Sequence, residues 1–126
     1  MVVFQIAPIE IDEVKLMQVF VNLFRNAKDS LLESSNPDKE LIIKTAIVDQ
    51  NKILVEITEN GIGILPTNLN KIFNYGFTTK KSGHGFGLHA SLLAIHELGG
   101  ELKACSDGLE KGATFTLLLP YKRPRQ

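Results

Sequence analysis

The sequence lacks tryptophan and has a single cysteine, Cys105, among its 126 residues. One cysteine excludes an internal disulfide, so we expect Cys105 to be a small apolar side chain within a strand and the protein to occupy a reducing compartment such as the cytoplasm. No apolar run approaches the roughly 18 residues of a membrane span, and no basic and apolar leader begins the chain. These absences predict a cytoplasmic domain without direct membrane insertion.

The chain also has no excess of charge of either sign, because 14 lysines and arginines balance 14 aspartates and glutamates. A nucleic-acid-binding module usually carries a strong basic excess, so we expect no nucleic-acid partner. The basic C-terminus at 122–125 is typical of a solvated tail. The length and the apolar share of 44% predict one globular domain, residues 1–126, with a core of its own.

Apolar periodicity predicts the order strand, helix, two strands, a glycine-rich loop, helix and two strands. This order indicates an α+β fold, a two-layer α/β sandwich in which a mostly antiparallel mixed sheet carries helices on one face. The other face should be more polar or solvent-facing. The predicted bounds are 2–7, 15–33, 41–48, 53–58, 88–98, 101–106 and 113–119, with Asp12 capping the first helix, a short helical turn at 69–73 and a C-cap at 99–100.

A polar stripe lies on the predicted first helix, apart from its apolar face. It consists of Asn22, Asn26 and Asp29, and the spacing of four and three residues makes these side chains neighbours. Amide and carboxylate oxygens suit Mg²⁺, which shares oxygens with nucleotide phosphates. A solvated helix face is the alternative. Asparagine is a poor helix former, however, so two asparagines on one stripe favour a functional role.

Two glycine motifs follow, at 59–64 and 83–88. In the first, Glu59 ends a strand, and a buried carboxylate there can accept a hydrogen bond from an exocyclic amine such as adenine N6. A plain turn is the alternative. In the second, glycines lead into a helix N-terminus, where N–H groups bind phosphates. The second motif is not a P-loop, since no Lys-Ser/Thr pair follows, and its context is not that of a Rossmann fold.

These boxes together resemble the ATP-binding domain of sensor histidine kinases, within the Bergerat-type (GHKL) ATPase superfamily that includes DNA gyrase B, MutL and the heat-shock chaperone ATPases. The resemblance covers nearly the whole chain: an asparagine box at 18–30, a phenylalanine box at 72–80 and a closing pattern at 112–120 accompany the glycine motifs. It implies the Bergerat ATP-binding fold, ATP and Mg²⁺ as cofactors, and a mobile ATP lid at about 61–87.

The resemblance also implies a role for each matching residue. Asn26 corresponds to the Mg²⁺-binding asparagine, Asn22 to its neighbour on the phosphate side, and Asp29 to an acidic position present in some members. Thr114 corresponds to the threonine of the closing strand near adenine. The other positions matched to the nucleotide site are Glu59, Gly61, Gly63, Ile64, Phe73, Thr79, Lys80, Gly83, His84, Gly85, Phe86, Gly87 and Leu88.

Two residues depart from the family pattern. Glu59 stands where the family usually has the aspartate that reads adenine, and in a tight pocket the extra methylene costs roughly 1–3 kcal/mol, or about tenfold to a hundredfold in affinity. His84 stands where threonine or a small residue is common; it either contacts phosphate when protonated or is a tolerated loop residue. His89 and His96 belong to no ligand cluster, so we expect neither to bind metal.

The resemblance implies the ATP·Mg²⁺-binding catalytic domain of a two-component sensor histidine kinase. ATP and ADP would be its ligands, the accepting histidine would lie on a dimerisation domain elsewhere in a parent chain that can be membrane-anchored, and a response regulator would act downstream. No such helical hairpin precedes Val2, so we expect a catalytic fragment with little turnover alone and no certain catalytic residue of its own.

Three alternatives remain open from the sequence. The first is a degenerate docking module whose nucleotide binding is impaired by Glu59. The second is another ATPase of the superfamily, although Asn22 stands where those members generally have the glutamate general base. The third is a serine kinase that inhibits a sigma factor.

Overall fold

The computed structural model describes residues 13–49, 51–78 and 87–120. Four strands form one sheet in the order β1-β2-β4-β3, and all three pairings are antiparallel. Two long helices cover one face of this sheet, which confirms the two-layer α+β arrangement. The elements are α1 Glu13–Glu33, β1 Leu41–Asp49, β2 Lys52–Glu59, α2 Pro66–Leu69, α3 Gly87–Glu97, β3 Glu101–Cys105 and β4 Ala113–Pro120.

The predicted bounds agree with these elements except at two places. The predicted strand at 2–7 and the cap Asp12 lie outside the described residues. The helical turn predicted at 69–73 is wrong in position, because the short helix α2 spans Pro66–Leu69 and turns follow it. Pro66 lies in the first turn of α2, where its fixed φ and missing N–H favour a helix start.

The core lies between the two central strands and the helices. Along β2, Ile53, Val55 and Ile57 are buried while the residues between them are half-buried, which confirms the predicted alternation. The apolar face of α1 packs against this side of the sheet, as its three- and four-residue spacing predicts. The buried residues of α1 are Leu16, Val19, Phe20, Leu23 and Ala27.

Helix α3 packs beside α1 and ends at a glycine pair. Lys15 of α1 forms an ion pair with Glu97 at the end of α3. Gly99 has a φ of +81°, and the Gly100 N–H donates to the Ile95 carbonyl at 2.9 Å. This left-handed glycine confirms the predicted C-cap, because a Cβ disfavours that backbone conformation.

Two expectations from composition concern Cys105 and the membrane. Cys105 is the last residue of β3, as expected of a strand residue, and its side chain is exposed. Within the three described ranges, every helix is too short or too polar to cross a bilayer.

The alternation along β4 yields a stability prediction. Leu117 is completely buried on the helix side, whereas its neighbour Leu118 is half-buried on the other face. We expect Leu117→Ala to lower the free energy of unfolding by about 2–5 kcal/mol, since it removes buried methyl groups and leaves a cavity. Leu118→Ala should cost less than half as much. Urea denaturation of both variants measures the difference, and equal losses would contradict the assigned faces.

Candidate functional site

The structure places the polar stripe along α1, beside its buried face. Asn22, Asn26 and Asp29 are all half-buried. The Asn26 side chain makes no hydrogen bond to any other residue of the described ranges, so its amide is available to a ligand. A half-buried amide without a protein partner is the kind of donor and acceptor group that a bound nucleotide or cation would use.

Asn22 connects the stripe to the end of the second glycine motif. Its Nδ2 donates to the Gly87 carbonyl at 3.4 Å and to the Ser91 hydroxyl at 3.3 Å. Gly87 and Leu88 begin α3, and Leu88 packs against the core. The structure therefore brings together the asparagine box and the helix that follows the second glycine motif, two features separated by 65 residues.

Glu59 is a buried carboxylate at the end of β2, with 4% of its surface exposed. Its Oε1 accepts hydrogen bonds from the Gly61 N–H at 3.1 Å and from the Ala113 N–H at 2.9 Å. Oε2 accepts none from the described residues, and no fully buried side-chain oxygen in those residues lacks a partner. Oε2 is therefore the oxygen that reaches the surface and remains able to accept a hydrogen bond.

The first glycine motif lies directly against α1. A Cβ at Gly61 would come within 2.6 Å of the Ser30 carbonyl carbon and 2.7 Å of its oxygen, so glycine is required by the close approach. The Ile62 N–H donates to the Ser30 carbonyl at 3.0 Å and to the Ser30 hydroxyl at 3.1 Å. Because Ser30 follows Asn26 by one helical turn, this contact brings Glu59 and the stripe to the same corner of the domain.

The β3–β4 turn holds the same loop from the other side. Gly63 has a φ of +75°, and a Cβ there would meet the Gly108 carbonyl. The Ile64 N–H donates at 3.0 Å to the Ser106 hydroxyl. The resemblance implies a mobile lid from about residue 61, and the first four residues of that segment, 61–64, are bound to neighbours on both sides.

Glu110 joins the β3–β4 turn to the end of α1. Its N–H donates to the Ile62 carbonyl at 2.6 Å, and its Oε2 accepts from the Ser34 hydroxyl at 3.1 Å. Lys39 donates to the Ser34 carbonyl at 3.1 Å, which satisfies a carbonyl just beyond α1. These bonds fix the end of the helix relative to the glycine loop.

Phe73 belongs to the core as well as to the predicted site. Its ring meets that of Phe115 edge to face, with centroids 6.3 Å apart. The Phe73 carbonyl hydrogen-bonds to His89 Nδ1 at 3.0 Å, and Tyr75 stacks edge-on against the same imidazole with centroids 5.4 Å apart. His89 thus links α3 to the phenylalanine box.

The structure does not bring Thr114 to Glu59, although the resemblance implies that both lie near adenine. Thr114 hydrogen-bonds through its hydroxyl to Thr58 at 3.0 Å, on the face of the sheet turned away from the helices. Successive strand residues point to opposite faces, so a difference of one position moves a side chain across the sheet. The residue beside the carboxylate is Ala113, whose N–H binds Glu59.

Two further observations concern the metal donors and the positions of the predicted site residues. Within residues 13–49, 51–78 and 87–120, no group of three or more histidine, cysteine, aspartate or glutamate residues could hold a metal ion. The stripe itself consists of amide and carboxylate oxygens, a ligand type that suits Mg²⁺. The predicted site residues outside the described ranges are Thr79, Lys80, Gly83, His84, Gly85 and Phe86.

A depression on the surface of the described residues lies mostly outside the candidate site. It follows the N-terminal half of α1 and is lined by Glu13, Val14, Met17, Gln18, Val21 and Asn22. It shares Asn22 with the stripe but includes neither Asn26 nor Glu59. The candidate site is therefore identified by its hydrogen-bonding and metal-binding groups, and not by a depression of the surface.

Sequence reasoning missed four residues that shape the site. Of these, Ser91 alone carried a signal, a hydroxyl on an otherwise apolar helix face, and it is 1% exposed. The other three form hydrogen bonds that involve a backbone N–H group, their own or that of the glycine loop, and composition and spacing do not reveal such bonds. They are Ser30, Ser106 and Ala113.

The contact between the glycine loop and α1 can be tested with two alanines. Gly61→Ala places a methyl group against the Ser30 backbone, so we expect a loss of about 1–3 kcal/mol or more in the free energy of unfolding. Gly87→Ala is the matched control, because its Cβ would lie 3.7 Å from Asn22, an ordinary contact. Thermal unfolding of both variants measures the effect, and a Gly61→Ala variant as stable as the control would contradict this packing.

Comparison with known proteins identifies the family. The profile described as histidine kinase-, DNA gyrase B-, and HSP90-like ATPase matches residues 11–123. Sensor protein FixL of Bradyrhizobium diazoefficiens is 37% identical over 109 residues, which are 86% of this chain and 21% of that protein. Sensor protein CitS of Halalkalibacterium halodurans is 37% identical over 112 residues, 88% of this chain and 20% of that protein. The chain spans about a fifth of the length of these relatives.

Solved structures show the same fold. The mycobacterial sensor histidine kinase MprB superposes with a TM-score of 0.75 at 24% identity, covering 90% of this chain and 74% of that chain. A nucleotide-free catalytic domain of the histidine kinase ThkA superposes with a TM-score of 0.73 at 27% identity, covering 90% of this chain and 70% of that chain. The chain therefore belongs to the family of histidine kinase-, DNA gyrase B- and HSP90-like ATPases, as an ATP-binding domain of that family.

Proposed function

We propose that the chain is the catalytic domain of a sensor histidine kinase, which binds ATP with Mg²⁺ and presents the γ-phosphate to a histidine on a separate dimerisation domain. The observation that carries this proposal is the contact of Gly61 with Ser30. This contact brings Glu59, whose Oε2 can still accept a hydrogen bond, close to the polar stripe of α1. In that stripe Oδ1 of Asn22 and the amide of Asn26 have no partner among the described residues. One corner of the domain thereby offers an acceptor for a base and oxygen donors for a metal–phosphate group.

The adenine end of the proposed site is Glu59. Its Oε1 is held by two backbone N–H groups, so Oε2 is left to accept from the exocyclic amine of adenine. In the described residues this buried carboxylate has no cationic partner, and a buried acceptor of this kind is stabilised by a ligand that donates to it. Glu59 is one methylene longer than the aspartate usual in the family, and the bonds to Gly61 and Ala113 fix the position of this longer side chain.

The phosphate end of the proposed site is the stripe. Asn26 would supply an amide oxygen to Mg²⁺, and Asn22 and Asp29 lie within one turn on either side. When bound, Mg²⁺ would neutralise phosphate charge and orient the γ-phosphate. The chain's own residues bind and orient the nucleotide, and the accepting histidine would come from elsewhere in the parent protein. A response regulator would then receive the phosphoryl group.

The Mg²⁺ assignment is tested by Asn26→Ala. We expect the variant to fold normally and to lose Mg²⁺-dependent binding of ADP, because the substitution removes the amide oxygen assigned to the metal. Isothermal titration calorimetry with and without Mg²⁺ measures this. Asn51→Ala, an exposed asparagine in the β1–β2 turn, is the control and should bind as the unmodified chain does. Unchanged Mg²⁺-dependent affinity in folded Asn26→Ala would overturn the assignment.

The adenine assignment is tested by Glu59→Gln. The Gly61 and Ala113 N–H groups require an acceptor, so the amide oxygen must take the place of Oε1, and the NH₂ group then opposes the adenine amine. We expect at least a tenfold loss of ADP affinity with little loss of stability. Titration beside Glu59→Asp completes the test. Binding by neither the unmodified chain nor Glu59→Asp would favour the docking-module alternative instead.

A further inference from the structure

Ser91 is a polar residue that is buried where helix α3 packs against α1. It lies on α3, one helical turn after Gly87, and only 1% of its surface is exposed. Burial of a hydroxyl without a partner destabilises a protein, and alanine at this position would form helix better. The described partner of this hydroxyl is the Asn22 amide of α1.

The two contacts of Asn22 determine the orientation of its amide. The Gly87 carbonyl can only accept a hydrogen bond, so the atom facing it must be Nδ2 rather than Oδ1. The second N–H of the same NH₂ group donates to Ser91. Both donors of the amide are then used, and Oδ1 is left without a partner among the described residues.

The strength of these contacts indicates that they act as a pair. Their lengths, 3.4 Å to Gly87 and 3.3 Å to Ser91, lie at the long end for hydrogen bonds from nitrogen to oxygen. Each contact is therefore weak alone. A single weak contact would leave the side chain free to rotate, whereas two acceptors on one face of α3 define the plane of the amide.

We propose that Ser91 is a positioning residue for the nucleotide site. It acts with the Gly87 carbonyl to hold the Asn22 amide so that its oxygen, and not its nitrogen, is left for the metal–phosphate group near Asn26. An oxygen in this place can bind Mg²⁺ or a Mg²⁺-bound water, while an NH₂ group would repel either. The inference rests on the proposed function, because it concerns the same ATP·Mg²⁺ site.

The experiment compares the full chain with Ser91→Ala and Ser91→Cys. The measured quantity is the ratio of ADP affinities with and without Mg²⁺, obtained by calorimetry. We expect Ser91→Ala to lower this ratio about three- to tenfold, because one acceptor alone does not keep the Asn22 oxygen in a single orientation. Ser91→Cys fills nearly the same volume with a weak acceptor, so its ratio should fall similarly.

The control is Leu118→Ala, a truncation on the face of the sheet turned away from the helices. Leu118 is half-buried, so its loss should lower the melting temperature. The substitution lies on the opposite side of the sheet from Asn22, and the affinity ratio of this variant should stay within twofold of that of the unmodified chain. A role of Ser91 in stability alone would make Ser91→Ala behave like this control.

The possible outcomes are distinguishable. A Ser91→Ala ratio within twofold of the unmodified value would overturn the inference. So would a normal ratio in Ser91→Cys with a reduced one in Ser91→Ala, because packing would then hold Asn22 in place of the hydroxyl. Absence of nucleotide binding by the unmodified chain would contradict the proposed function itself, and the inference would fall with it.

Discussion

The arrangement of the candidate site depends on the hydrogen bonds that the Glu59 carboxylate accepts from the backbone. One oxygen binds the N–H groups of Gly61 and Ala113, and so joins the end of β2 to the glycine loop and to the first residue of β4. A buried carboxylate is costly unless hydrogen-bonded, and two backbone donors reduce that cost while fixing the side chain. The second oxygen is then positioned by the same bonds that position the loop.

The glycine loop transmits this position to α1. Gly61 has no Cβ, so the loop backbone lies against Ser30, and the asparagine stripe lies within the preceding turns of the same helix. Any larger residue at 61 would separate the carboxylate from the stripe. The relative placement of the proposed adenine and phosphate ends therefore depends on one close backbone contact rather than on the sheet as a whole.

Sequence reasoning located the elements better than it oriented the side chains. The amphipathic pattern of α1 and the alternation of Ile53, Val55 and Ile57 reflect burial against one face, which a sequence records directly. The sequence did not reveal that Ala113 and not Thr114 contacts Glu59, because neighbouring positions of a strand lie on opposite faces of the sheet. Ser30 and Ser106 were missed because their role is to bind backbone N–H groups of a loop distant in sequence.

The two ends of the proposed site are held by bonds of different length. At the proposed adenine end, backbone N–H groups of the loop and of β4 donate to the side chains of Glu59 and Ser106 at distances near 3 Å. At the proposed phosphate end, α1 and α3 meet at Asn22, whose amide donates to the Gly87 carbonyl at 3.4 Å and to the Ser91 hydroxyl at 3.3 Å. Short bonds to backbone N–H groups resist displacement, while each long bond at Asn22 is weak and the two orient the amide only as a pair. The Glu59 carboxylate is thus fixed by the backbone around it, and the orientation of the Asn22 amide depends on how closely α1 and α3 pack.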